Sequence, residues 1–155
     1  VSLDLSYNRI IDIPEFCFHQ LGKLEILNLS RNYIELERAQ SFSGLVSLKT
    51  LRLSKNKLSY LDPAVFAPLV SLETLELDHN HVPLSIPDQA FAAQASLKRL
   101  SLIGDTLALF EANAFVDDTF PREVPLEELL LKGAQLRSLP VAVLKTLTRL
   151  RSLDL

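Results

Sequence analysis

The chain has 155 residues, 48% hydrophobic and 23% charged, with a formal net charge of −3. That length carries one continuous core, and the lack of a basic excess argues against nucleic acid as a partner. No apolar run approaches the ~20 residues of a membrane span.

Taken in order, the chain is a series of copies of one unit. The first keeps Leu3, Leu5, Asn8, Ile10, Ile13, Phe18 and Leu21. The second starts at Leu24 and keeps Leu27, Leu29, Asn32, Ile34, Phe42 and Leu45, but Glu37 stands where a leucine is expected, so its outer segment should be loose or shifted. The third, Leu48 to Ser71, is the most regular: Leu48, Leu51, Leu53, Asn56, Leu58, Leu61, Phe66 and Leu69. The fourth starts at Leu72 and keeps Leu75, Leu77, Asn80, Val82, Ile86 and Phe91, with one extra residue between Asn80 and Ile86.

From Leu97 the pattern weakens. Leu100, Leu102, Leu107, Phe110 and Phe115 hold, but Asp105 replaces Asn and Asp118 replaces the late leucine. The next step, Leu97 to Leu126, is 29 residues against 24 between Leu48 and Leu72, and the excess falls in VDDTFPREVP, expected as an outer loop over 116–125. The sixth copy keeps Leu129, Leu131, Leu136, Leu139, Leu144 and Leu147, with Ala134 at the Asn position. The chain opens at Val1 and stops at Leu155 in mid-strand, without the polar capping units of solenoid ends, so it reads as an internal fragment of a longer protein.

The spacing dictates a coil. Around Leu51 and Leu53 apolar and polar residues alternate, giving a short strand with one buried face. The same pattern places strands near 3–5, 27–29, 51–53, 75–77, 100–102, 129–131 and 153–155. Asn8, Asn32, Asn56 and Asn80 follow where the chain must turn, and an Asn amide can satisfy backbone groups that stacked turns would leave unpaired. One coil cannot cover its own leucines; its neighbours bury them.

With its 24-residue step, a Phe column (Phe18, Phe42, Phe66, Phe91, Phe115) and Pro or Asp at Pro14, Asp62, Pro87 and Pro140, the chain resembles the typical-type leucine-rich repeat. That subtype is similar to animal ectodomains of the chaoptin, Toll, Toll-like receptor and Slit kind. The resemblance implies an α/β repeat solenoid, a horseshoe arc with parallel β-strands on the concave face and mostly irregular convex segments. It also implies an extracellular or cell-surface protein that binds a protein or other macromolecular ligand without catalysis or cofactor. The other readings are an intracellular scaffold or regulatory subunit and a structural spacer.

No catalytic pattern is present: there is no H-E-x-x-H, G-x-S-x-G or P-loop, and Asp117-Asp118 and Glu127-Glu128 read as solvated charge. Asp78-His79-Asn80-His81 lacks a third His or Cys and reads as surface histidines around a ladder Asn, not as a metal site. Cys17 shares a column with Ser41, Val65, Ala90, Ala114 and Val143 and is expected to be a buried, unreactive thiol. Asn28-Leu29-Ser30 is a glycosylation sequon on the concave face.

Strand alternation turns three columns outward: Asp4, Asn28, Arg52, Glu76, Ser101, Leu130, Asp154; then Ser6, Ser30, Ser54, Asp78, Ile103, Lys132; then Tyr7, Arg31, Lys55, His79, Gly104, Gly133. Arg31, Arg52 and Lys55 make a positive area beside Glu76 and Asp78, and Ile103 with Leu130 makes a small apolar one beside two glycines. These seven are the candidate ligand-binding residues. An internal Arg52–Glu76 pair is the alternative use of two of them.

Overall fold

A computed structural model of the chain describes residues 1–80, 82–118, 123–137 and 141–155. His81, Leu139, Pro140 and positions 119–122 of the insertion lie outside the described residues. Seven short strands, β1 (Ser2–Asp4), β2 (Ile26–Asn28), β3 (Thr50–Arg52), β4 (Thr74–Glu76), β6 (Arg99–Ser101), β8 (Glu128–Leu130) and β9 (Ser152–Asp154), pair in parallel in that order. Each spans one residue earlier than the leucine spacing alone suggests. The register aligns Leu3, Leu27, Leu51, Leu75, Leu100, Leu129 and Leu153 in one row.

Leu27, Leu51, Leu75, Leu100 and Leu129 are wholly buried, as are Leu53, Leu77 and Leu102 two residues on. In the outermost coils the equivalent Leu3 and Leu5 are only half-buried, and Leu153 and Leu155 are exposed, because each has a neighbour on one side. The Phe column is buried behind the sheet. Phe18 and Phe42 stack at 6.5 Å, Phe42 and Phe66 lie 6.1 Å apart, and Phe91 and Phe115 stack at 5.1 Å.

The asparagine turns form a ladder. Asn32 Nδ2 donates to the carbonyls of Leu29 and, in the preceding coil, Leu5, both at 3.0 Å, while its Oδ1 accepts from Ile10 N at 3.0 Å. Asn56 repeats this with Leu53, Leu29 and Ile34. Asn80 donates to Leu77 and Leu53 and accepts from Asn56 N and Leu58 N, each at 3.2 Å. These bonds satisfy main-chain groups sealed between coils.

Three features depart from a bare repeat. In the second coil Leu36, not Glu37, fills the leucine slot: Leu36 is buried with φ 55°, Glu37 is exposed, and the segment is shifted by one residue. Behind the main sheet β5 (Leu84–Ile86) and β7 (Leu107–Phe110) form a second parallel pair, which Tyr60 extends through a bridge to Ser85. Two short helices, α1 (Pro63–Phe66) and α2 (Val141–Thr146), punctuate the outer segments, and Asp62 caps α1 by accepting from Ala64 N. No described helix is long and apolar enough to cross a membrane.

Cys17 is exposed, contrary to expectation. Its column is buried at Ser41, Val65, Ala90, Ala114 and Val143, where a preceding coil covers it; Cys17 lies in the first coil. Partial burial, with Asp12 nearby, pushes its thiol pKa up, away from the reactive thiolate.

Gly44 offers a check on coil spacing. Its φ is 91°, and an added Cβ would sit within 2.6 Å of His19 Cα, against main chain that cannot rotate away. Gly44→Ala should cost about 2 kcal/mol. Gly22→Ala, whose Cβ would meet nothing closer than 3.6 Å, should change the melting temperature little. Equal melting shifts for the two would contradict the coil packing.

Candidate binding surface

The solvent face of the seven-stranded sheet is built from the residues between the buried leucines. Arg52 Nε pairs with Glu76 Oε2 at 3.2 Å, both partly exposed, so these two candidates neutralise each other across adjacent strands. Asp78 is also engaged: its Oδ1 accepts from Ser101 Oγ at 2.5 Å and from Ile103 N at 2.9 Å. Ser101, expected to face solvent, is buried by that contact. Ile103 and Leu130 are half-buried, and the His79 imidazole fills the space over Gly104 Cα that the sequence alone leaves open. Asn28 Nδ2 donates to Asp4 Oδ2 at 3.2 Å and its Oδ1 accepts from Ser30 N at 3.1 Å, leaving it half-buried.

One column escaped the sequence reading. Immediately after each unit's first leucine stand Glu25, Lys49, Glu73, Lys98, Glu127 and Arg151, alternating in sign coil by coil. Lys49–Glu25 and Lys98–Glu73 close at 2.9 Å and Arg151–Glu127 at 3.6 Å, and Arg99 pairs with Glu128 in the next column. The Lys49 hydrogen bond holds the Glu25 carboxyl below its ordinary pKa. Exposed to solvent, each pair is screened and adds little to stability. Together they leave the strand entrance nearly neutral.

Among the described cations outside these ion pairs, Arg9, Arg31, Lys55 and Lys57 cluster at the turn edge beside the ladder asparagines, while Lys23, Lys132, Arg137 and Lys145 are spread over the rest of the chain. Arg31 Cζ sits 4.7 Å over the Tyr7 ring and Lys57 Nζ 5.3 Å from the Tyr33 centroid. Residues just before each ladder position share a left-handed backbone: Tyr7 (φ 56°), Arg31 (57°), Lys55 (59°), His79 (57°), Gly104 (70°) and Gly133 (71°). Their N–H groups donate to the next coil, as Arg31 N does to Ser54 O and Lys55 N to Asp78 O, both at 2.8 Å. Arg31 and Lys55 thus belong to this edge, while Arg52, Glu76, Ile103 and Leu130 belong to the sheet face.

Among the described residues no group of His, Cys, Asp and Glu could hold a metal ion; His81 of the Asp78–His81 stretch lies outside them.

A family model described as leucine rich repeat matches residues 1–54 and 37–82. No curated protein sequence matches the chain. Among solved structures, a TLR13–ssRNA13 complex superposes with a TM-score of 0.78 at 28% identity, covering 99% of this chain and 26% of that one. The Leptospira interrogans leucine-rich-repeat protein LIC12759 superposes at 0.76 with 23% identity over 100% of this chain and 37% of that one. The leucine-rich repeat domain of APL1B gives 0.69 at 23% identity over 82% of this chain and 36% of that one. The last two likenesses concern the fold alone. The chain spans between about a quarter and somewhat over a third of the length of these structures.

Proposed function

Because the chain belongs to the leucine-rich repeat family, we propose that it is a non-catalytic binding segment whose concave strand face docks a protein or other macromolecular ligand. The observation that carries this reading is a sheet with one face sealed on leucines and the other uncovered, bearing residues that differ from coil to coil. Such an arrangement separates stability from recognition: outward side chains vary while the inward ladder stays constant. The proposed contact set is Arg52, Glu76, Asp78, Ile103 and Leu130 on that face, with Arg31 and Lys55 on the turn edge that adjoins it.

The likeness to Toll-like receptor ectodomains supports an extracellular or membrane-anchored receptor or adhesion protein as the source of this segment. Asn28 is the candidate glycan acceptor under that reading. A second reading, single-stranded RNA as ligand, is favoured by the TLR13–ssRNA13 likeness. The chain's net charge of −3 weighs against it, since phosphate binding rests on a basic surface.

With a partner isolated by affinity capture, Arg52→Glu combined with Lys55→Glu should slow association in a salt-dependent way. The melting temperature should shift little, because the Arg52–Glu76 pair it breaks is exposed. Ile103→Asp should weaken binding through faster dissociation. Unchanged binding in both variants would move the site off the strand face.

A further inference from the structure

We infer that the turn edge of the first three coils is a docking site for an acidic polypeptide segment, a proposal that rests on the protein-binding reading above and names the partner's chemistry. Arg9, Arg31, Lys55 and Lys57 stand there without an ion-pair partner among the described residues. On the strands, by contrast, Lys49, Arg52, Lys98, Arg99 and Arg151 are all paired within the chain. Of the carboxylates around it, Asp12 pairs with Arg38, Asp4 accepts from Ser6 N and Asn28, and Asp78 accepts from Ser101 and Ile103. Glu35, Glu37 and Asp62 lie with Lys57 along one open cleft beside Tyr60, so Arg9, Arg31 and Lys55 are the edge cations farthest from competing carboxylates.

Two aromatic anchors interleave with these cations. Tyr7 is 74% exposed and Tyr33 48%, although each lies against a cation of the next coil. Exposed Tyr beside Arg is the composition that carries most binding energy at protein interfaces. Every coil needs a left-handed residue before its ladder position, and the fifth and sixth coils use Gly104 and Gly133. The first three place Tyr7, Arg31 and Lys55 in the same strained conformation, which L-residues adopt only at a cost. The fourth coil does the same with His79.

Carboxylates fit this edge better than phosphates. Base stacking needs open ring faces, and here the chain's own cations cover one face of both tyrosines. A long polyanion would also run onto a molecule with net charge −3. A short acidic segment meets only the edge, where neighbouring coils present a cation roughly every 4.8 Å.

The test uses the 155-residue chain and a fluorescein-labelled peptide of alternating glutamate and tyrosine, read by anisotropy in about 50 mM salt. Binding is expected, with none for the lysine–tyrosine counterpart. Arg9→Glu with Lys57→Glu should weaken it by about tenfold or more at an unchanged melting temperature. Arg52→Glu with Ile103→Asp, on the strand face, should leave it within about twofold. Loss in the strand-face variant but not in the edge variant overturns the edge assignment and leaves the strand-face reading standing. Absence of peptide binding, or tighter binding of poly-uridine than of the peptide, overturns the acidic-segment proposal. The strand-face reading keeps its own variants and its own isolated partner as its test.

Discussion

Raising the pH from 5 to 8 should destabilise the chain by about 2–3 kcal/mol, and Asp105→Asn should remove most of that loss. Asp105 occupies the fifth ladder position and is wholly buried. Its Oδ1 accepts from Asn80 N at 2.6 Å, as a ladder amide oxygen would. Its Oδ2 stands where Asn32, Asn56 and Asn80 place an amide that donates to carbonyls, and it has no hydrogen-bond partner among the described residues. Burial, aided by the nearby Asp78 charge, raises its pKa from 3.8 to about 7.

The folded chain therefore binds this proton more tightly than the unfolded one. Its contribution is fully present below pH ~4 and is lost as pH rises through ~7, about 4 kcal/mol in total. Protonated, Asp105 can donate from Oδ2 and imitate asparagine; ionised, it cannot. Below pH ~4 the opposite trend sets in. Asp4, held low by Ser6, Glu25, held low by Lys49, and Glu123, held low by Arg149, then lose their charge. Urea unfolding of the parent and of Asp105→Asn between pH 5 and 8 checks the prediction. Parallel pH profiles for the two chains would show that Asp105 is not the source.

Most of the fold was legible because the repeat writes the same constraint several times. The leucine rows, the Phe column and the asparagine turns could be read from offsets alone, since each copy solves the same burial problem. What escaped depended on relations between copies. The row Glu25, Lys49, Glu73, Lys98, Glu127, Arg151 is plain once the copies are aligned, but no single copy shows it. The contacts of Arg31 with Tyr7 and Lys57 with Tyr33 likewise join the same position in adjacent coils. The β5–β7 pair escaped because Leu84–Ile86 follows the fourth copy's extra residue, and because offsets that place Leu107 and Phe110 inward do not say that outer segments of adjacent coils pair. The shift to Leu36 was foreshadowed by Glu37 but not its direction, which follows from a left-handed backbone no offset encodes. Of the candidate contacts, outward placement could be read from alternation. Engagement of Asp78 by the next coil's Ser101 and Ile103 could not, because it depends on rotamers rather than on spacing.

The central claim is that inward residues hold the stack and outward residues are free to recognise a ligand, and the neighbours Leu53 and Arg52 test it most directly. Leu53 is wholly buried in the row formed by Leu29, Leu77 and Leu102, with a coil on either side. Its N–H donates to Glu76 O at 2.8 Å, fixing the register. Truncation leaves a cavity between two coils that cannot close without breaking the ladder, so Leu53→Ala should cost about 2–5 kcal/mol. Arg52→Ala removes one exposed ion pair with Glu76 and should cost about 1 kcal/mol or less. The deciding measurement is the urea unfolding free energy of both variants against the parent chain. A loss of several kcal/mol for Leu53→Ala with little change for Arg52→Ala is the predicted result; comparable losses would contradict the assignment of the two faces.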